Sequence, residues 1–347
     1  MKFSTIASAA AAVFALCLGT AHPASAADDA GGFFKGKVLR IVVGSPAGAG
    51  YDVNARNFAK YFADHIPGKP TIIVQNQGGA GSIIMANTLY STGSFDGLTV
   101  GASLGGIVTA QLLNPKGVRF DARKLIWLGT TTQEVHVTYV WHTAPVKTFQ
   151  DLLHTTLIVG AQGPGASQWD YPMIANALLG TKYKIISGYE STPAIHAAME
   201  RGEIMGNGAS AYTTLQTISP QWLTEKKVNI ILQWGDKTYP ALKDVPRAYD
   251  LAKTDADRQA IKLAQIRLLF GKPFFLPPGV PADRVAVLRK AFDDTVRDPR
   301  FIADEKTTRL DVDPLTGEQV TKALNEVYAY PPAVVQRVRN ILAGKSS

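Results

Sequence analysis

From residue 38 onward, short apolar runs alternate with apolar positions at helical spacing. VLRIVV (38–43) is continuous enough for a buried parallel strand. Behind it Ala55, Phe58, Ala59, Phe62 and Ile66 mark one face of a helix. TIIVQ (71–75) and LTVGAS (98–103) predict two more strands. A glycine-bearing loop and a helix follow each, the first helix beginning near Ser82 and the second carrying IVTAQLL. Three β-loop-α units in succession argue for a parallel sheet covered by helices on both faces.

The pattern then restarts. VTYVW (137–141), LIVGAQ (157–162), YKIIS (183–187) and IILQW (230–234) read as strands. GPGAS and a helix from Ser167 follow the second, and GYESTP and a helix through Ala194, Ala197 and Ala198 follow the third. Residues 255–269 are amphipathic through Ile261, Ala264, Ile266 and Leu268, and KPFFLPPGVP (272–281) reads as extended. Helices are predicted near 282–297, 317–328 and 332–343, punctuated by Pro299 and Pro331-Pro332. Two α/β units in sequence, with a helical tail that can return to the first, form a ligand trap when they meet at a cleft.

Composition sharpens this. Lys2, the apolar stretch Ile6–Leu18 and the small-x-small triplet Ala24-Ser25-Ala26 make residues 1–26 a signal peptide, with an apolar stretch too short to span a bilayer. Cys17, the only cysteine, follows Leu16 inside that stretch, which argues against a lipid anchor. Cleavage after Ala26 leaves an exported, periplasmic chain with no disulfide framework. No later run approaches the length of a membrane span, so the mature protein is expected to be soluble. The length favours two domains. Formal net charge is +8, but the basic residues are scattered without a run, which argues against nucleic acid and fits a field that favours small anions.

The loops after the strands carry the candidate chemistry. GSPAGAGYDVNAR (44–56) fails the dinucleotide fingerprint because Val53 stands where the third glycine belongs. The series from Gly163 fails at Gln168, and no P-loop string occurs. What remains is general: glycines 48 and 50 allow close backbone approach, Asp52 is placed to cap the helix, and Arg56 lies one turn later. Similar loops recur at 46–52, 78–82, 103–106, 163–167 and 188–192, at the strand ends where α/β sheets bind ligands. Gly101-Ala102-Ser103-Leu104-Gly105 matches the nucleophile elbow of hydrolases, making Ser103 a candidate nucleophile. Its later histidines (136, 142, 154 and 196) do not lie near the C-terminus as that fold requires, and no HGGG-type loop is present. The histidines are isolated, so no metal site is expected, and His196 is read as a surface or packing residue.

In this order SPAGAGYDVNARNFAKYF, VQNQGGAGSIIMAN and DGLTVG resemble the substrate-binding proteins of tripartite tricarboxylate transporters, the Bug family. The likeness continues through GAQGPGAS, ISGY, AMERGEI and FLPPGVPADRV. The resemblance implies an α/β fold of periplasmic-binding-protein type II: two α/β domains, 27–131 plus 245–347 and 132–244, closing on a ligand. It implies a cofactor-free, non-enzymatic, monomeric receptor that captures a small carboxylate by backbone amides and delivers it to membrane permease subunits. The carboxylate could be a di- or tricarboxylate, aromatic or amino-acid-like. A ligand sensor for a membrane kinase is the alternative. Implied contacts are Ala47, Gly48, Ala49 and Asp52 from the first loop, and Gly79, Ala80, Gly81 and Ser82 from the second. Ser103 becomes a strand-end hydroxyl, joined by Gly165, Ala166, Ser167 and Tyr189, with Tyr51, Trp141 and His142 as specificity candidates. Two departures stand out: alanines interrupt the first glycine loop, and Met205 replaces the usual acid after GEI.

Overall fold

The computed structural model describes residues 32–237 and 239–345; the expected signal peptide lies outside them. Two sheets organise the chain. In the first, β1 (Val38–Val43), β2 (Thr71–Asn76) and β3 (Thr99–Ala102) run parallel. β4 (Ile126–Thr130) belongs to the same sheet. The second is built from β5 (His136–Trp141), β6 (Leu157–Ala161), β7 (Tyr183–Ser187), β8 (Gly206–Ala211) and β9 (Val228–Trp234). β10 (Pro273–Leu276) and β11 (Leu315–Thr316) return to the first sheet.

The strand orders are β11-β4-β10-β3-β1-β2 and β7-β6-β8-β5-β9. Each sheet therefore repeats one scheme: second, first and third parallel strands, then an antiparallel strand arriving from the other half, then the fourth. β10 is antiparallel to β3 and β4, and β5 is antiparallel to β8 and β9. The chain crosses between the halves at 131–135 and again at 235–272. An arriving antiparallel strand starts at the edge where its parallel neighbours end. Both crossings thus run between the carboxyl edges of the two sheets.

The helices in chain order are α1 (Gly50–His65), α2 (Ile83–Thr92), α3 (Ile107–Leu113), α4 (Phe149–His154), α5 (Ser167–Leu179), α6 (Thr192–Glu200) and α7 (Tyr212–Ile218). They continue with α8 (Pro220–Thr224), α9 (Asp255–Gln265), α10 (Ala282–Arg297), α11 (Pro299–Thr307), α12 (Gly317–Tyr328) and α13 (Pro332–Leu342). Pro299, expected as a break, instead opens α11. Its missing N–H is tolerated at the first helical position, and the Asp298 side chain accepts from the Arg300 N–H. β4 and β8 were absent from the sequence pattern. β8 reads GNGASA yet is buried throughout. A Cβ at Gly208 would stand 2.5 Å from the Gln168 carbonyl, so glycine lets α5 lie directly on the sheet. His196, a possible surface position by sequence, is buried, with Nε2 2.5 Å from the Tyr139 hydroxyl and Nδ1 2.8 Å from Ser219 Oγ.

Packing follows three layers. α1 and α10 cover one face of the first sheet, where Phe58 meets Phe62, Phe274, Phe292 and Phe301 at ring separations of 4.4–6.0 Å. α6 and α8 cover the corresponding face of the second sheet through Ile195, Met199 and Trp222. The third core is shared by the two halves. It runs from Met85, Ile107 and Trp127 through Leu263, Phe270 and Val338 to Tyr171, Ile174 and Trp234. α13 packs on α3, α5 and α9, so the tail bridges the halves instead of returning only to the first.

Phe58 is fully buried at the centre of its ring cluster. Phe58→Ala is expected to lower unfolding stability by about 3–5 kcal/mol, since the four surrounding rings cannot collapse into the space. Urea titration followed by circular dichroism measures it.

Candidate ligand cleft

Parallel pairing brings the loops after β1, β2 and β3 to one edge of the first sheet. The loops after β6 and β7 lie at one edge of the second, together with the start of β5 and the ends of β8 and β9. Contacts across the gap join these edges: Arg267 Nη1 donates to the Gly165 carbonyl at 3.1 Å, and the Gly165 Cα faces Asn114. This is the candidate cleft.

The first loop is folded by its own acid. Asp52 does not occupy the N-cap; Ala49 does, and Asp52 lies in the first turn of α1. From there its Oδ2 accepts from the Gly48 N–H at 2.8 Å, and its Oδ1 accepts from Asn76 Nδ2 at 2.8 Å. Arg56 Nε completes the set at 3.0 Å. Burial alone would raise the Asp52 pKa, but the bonds from Arg56, Gly48 and Asn76 lower it. Asp52 and the Gly48 N–H are therefore spent on each other. Ala47 is exposed, and the N–H groups of Gly50 and Tyr51 belong to the first turn, where no intrahelical acceptor exists.

The second loop holds four consecutive residues at positive φ: Gly79, Ala80, Gly81 and Ser82. Ala80 and Ser82 adopt a region that disfavours side chains, so the surroundings must hold them there. Ser82 shows how. Its buried Oγ donates to the Gly44 carbonyl and accepts from the Leu104 N–H, each at 3.0 Å. One hydroxyl thus ties the loops after β1, β2 and β3 together. Ser103 is 2% exposed, and its Oγ has no hydrogen-bond partner among the described residues.

The second half uses the same device as the first. The Gly165 N–H donates to Asp170 Oδ1 at 2.9 Å, from the first turns of α5. Arg267 Nη1 pairs with Asp170 Oδ2 at 3.0 Å, and Arg267 Nη2 lies 3.5 Å from Ser167 Oγ. Its guanidinium covers the Tyr171 ring at 4.9 Å, and that ring stacks on Trp234 at 4.5 Å. Burial pushes the Asp170 carboxyl up, against the pull of Arg267. Ala166 caps α5, and Tyr189 is half-buried in the loop after β7.

Between the halves sits a buried cluster that sequence inspection did not single out. Glu134, in the first crossing, accepts from Lys272 Nζ at 3.2 Å and from His136 Nε2 at 3.0 Å. Burial would raise its pKa, but Lys272 and His136 outweigh that and bring it to about 2. The Tyr51 ring faces Lys272 at 5.7 Å, and burial and the adjacent Glu134 raise its hydroxyl pKa well above the usual value. His136 meets the Tyr171 ring edge-on at 5.9 Å.

The structure thus gathers Tyr51, Ser103, Gly165 and Ser167 around Glu134, His136, Asp170, Tyr171, Arg267 and Lys272. It does not bring His142 there. His142 follows the far end of β5 from His136 and is exposed, and Trp141 packs on Trp222 away from the cleft. Ala49, Gly79, Ala80 and Gly81 lie on the rim. Met205 is half-buried against the shared core rather than in the cluster. Two grooves of about 600 and 740 Å³, lined in part by Arg289 and Glu318, lie on α10 and α12, remote from these loops. Among the described residues no group of acids, histidines and cysteines is arranged to hold a metal.

Two consequences are measurable. Glu134 has a folded pKa below its ordinary 4.5, so its stabilising contribution is complete above pH 4.5 and is lost as pH falls toward about 2. Glu134→Gln should flatten the acid limb of a melting-temperature profile across that window. Arg267→Met strands the buried Asp170 carboxylate and should destabilise by about 3–5 kcal/mol. Adding Asp170→Asn should recover much of the loss, a coupling read by a double-mutant cycle in denaturant.

Comparison with family models and with curated proteins finds no match. Solved structures do match. A TctC solute-binding protein from Polaromonas is 17% identical with a TM-score of 0.65, covering 87% of this chain and 98% of its own. The periplasmic binding protein BugD is 18% identical with a TM-score of 0.66, covering 88% and 97%. MatC from Rhodopseudomonas palustris, solved with bound malate, is 18% identical with a TM-score of 0.64, covering 88% and 99%. With the strand order above, this makes the fold a type II periplasmic-binding-protein fold, shared with solute-binding proteins of the TctC and Bug type.

Proposed function

We propose that this chain is a periplasmic receptor of the tripartite tricarboxylate transporter type, which captures a small carboxylate between its halves and hands it to membrane permease subunits. The observation that carries the reading is the placing of two acid-folded helix N-termini, α1 and α5, beside a pair of cations, the buried Lys272 and the largely covered Arg267. Helix N-termini and buried cations stabilise a carboxylate by charge-assisted hydrogen bonds. The malate in MatC supports this ligand class. The halves divide as 27–131 plus 245–347 and 132–244, with closure about the two crossings and the protein acting as a monomer without cofactor.

In this reading Ser103 is a cleft hydroxyl. A nucleophilic serine needs a base within hydrogen-bond reach, and no imidazole is bonded to Ser103 Oγ among the described residues. The one buried histidine in the cluster presents Nε2 to Glu134 instead.

Thermal denaturation against a panel of mono-, di- and tricarboxylates tests the proposal. A true ligand at a hundredfold its Kd should stabilise by about 2.7 kcal/mol. Gly79→Ala should weaken binding tenfold or more, because Gly79 has φ +126°, which an alanine adopts only by distorting the loop. A flat response to the entire panel, from protein shown to be folded, sinks the receptor reading.

A further inference from the structure

Resting on the carboxylate reading and going beyond it, we propose that His136 sets ligand specificity. Its Nδ1 accepts a hydrogen bond from a ligand hydroxyl or amino group, so the preferred ligand is a hydroxy- or amino-substituted carboxylate.

The argument begins with Glu134. Its Oε1 faces Lys272 Nζ and its Oε2 faces His136 Nε2. An ionised carboxylate has no proton to give, and Lys272 and His136 hold Glu134 ionised far below neutral pH. His136 Nε2 must therefore carry the ring proton. In the neutral imidazole that leaves Nδ1 as a bare lone pair. His136 is 7% exposed, and Nδ1 has no partner among the described residues. A buried acceptor without a donor is unfavourable and favours any ligand group that supplies one.

No neighbour supplies it: the Trp234 Nε1–H on the adjoining strand is itself a buried donor without a partner and is not bonded to Nδ1. The Tyr171 ring and His136 meet at right angles; Tyr171 Oη accepts from Arg267 Nε at 3.3 Å, and its own O–H is not bonded to Nδ1. Lys272 Nζ donates to Glu134 Oε1 and is not bonded to Nδ1. On the adjoining strands His136 pairs with Ala211 and Trp234. Arg267 also reaches the Gly165 carbonyl, so the Tyr171–His136 wall is continuous with the cleft loop of the second half. A ligand whose carboxylate lies on the loops would then border the Tyr171–His136 wall. A hydroxyl or amine meets a lone pair there, whereas a second carboxylate oxygen would place acceptor against acceptor. Ser103 Oγ, also buried and unpartnered, can donate as well as accept and so fits either group.

Two measurements on the full mature protein test this. Nitrogen-15 NMR of the imidazoles, with His136 assigned by its loss in His136→Phe, should show the proton on Nε2. Calorimetry then compares matched pairs: malate with succinate, 3-hydroxybutyrate with butyrate, and aspartate with succinate. At least one substituted partner should bind about tenfold tighter or more, and His136→Phe should abolish the difference. Glu134→Gln gives a second handle if His136→Phe does not fold. Lys272 keeps the amide oxygen on its own side, so the amide nitrogen faces Nε2. The ring proton then moves to Nδ1, and the preference should reverse toward unsubstituted or additional carboxylates. A resting Nδ1–H, in the other neutral tautomer or in the imidazolium, overturns the inference. Carboxylates that bind without any preference overturn it while leaving the receptor reading intact. Failure of every carboxylate to bind overturns both.

Discussion

The ion pair of Arg267 with Asp170 decides what kind of cleft this is. Asp170 folds the loop at the start of α5 by accepting from the Gly165 N–H, but it also puts a negative charge where an anionic ligand would lie. Arg267 offsets that charge from the second crossing while holding the Gly165 carbonyl and covering Tyr171. The first half solves the same problem in the same way. Asp52 folds the Gly48 turn, and Arg56 neutralises it. A helix N-terminus favours an anion only if its own first-turn acid is already balanced. Each half meets that condition with one arginine, although Arg56 is half-exposed and Arg267 only 12% exposed.

Much of the architecture was legible because it is local. Strands such as VLRIVV and YKIIS coincide with β1 and β7, and the helix from Ala282 to Arg297 is marked by its own periodicity. β8 was illegible for a physical reason. GNGASA has no apolar pattern, because its position under α5 selects for small size instead of hydrophobicity. β4, IWLGT, is as long as β7, but its apolar run stops at Gly129, where a Cβ would meet Phe292 and the Leu315 carbonyl. Pro299 misled because proline ends one helix and starts another equally well.

The candidate site was legible only in its backbone. Tyr51, Gly165 and Ser167 stood out because glycines and helix starts mark a sequence locally. Arg267, Lys272 and Glu134 did not, since each is an isolated charge in a chain with scattered charges, and only the two crossings bring them together. Two signals were nevertheless present. Asp170 stands shortly after a glycine loop, as Asp52 does, and Glu134 and His136 alternate with Val135 and Val137 where the crossing enters β5. A charge on a buried strand is improbable without a partner, which is itself a reason to seek a distant cation. His142 misled by adjacency to Trp141. β5 enters the second sheet antiparallel to its neighbours, so its first histidine, not the last, reaches the carboxyl edge.

The shared core limits how this cleft can open. Separating the halves as rigid bodies would expose the apolar surface that α13 buries on α3, α5 and α9, and such exposure is unfavourable in proportion to its area. The contacts on the cleft side are of another kind. Arg267 with Gly165 and Arg309 with the Gln216 carbonyl are polar and can exchange protein partners for water at small net free-energy change. The easy motion is therefore a rotation that keeps the α13 side packed and parts the loop side, with the segments 131–135 and 235–272 absorbing the backbone change. Such a rotation would carry Asp170 away from Arg267, while Glu134 and Lys272, each within a crossing, would stay close to the axis. The buried Glu134–Lys272–His136 cluster would then persist in the open form, already ordered when a ligand arrives.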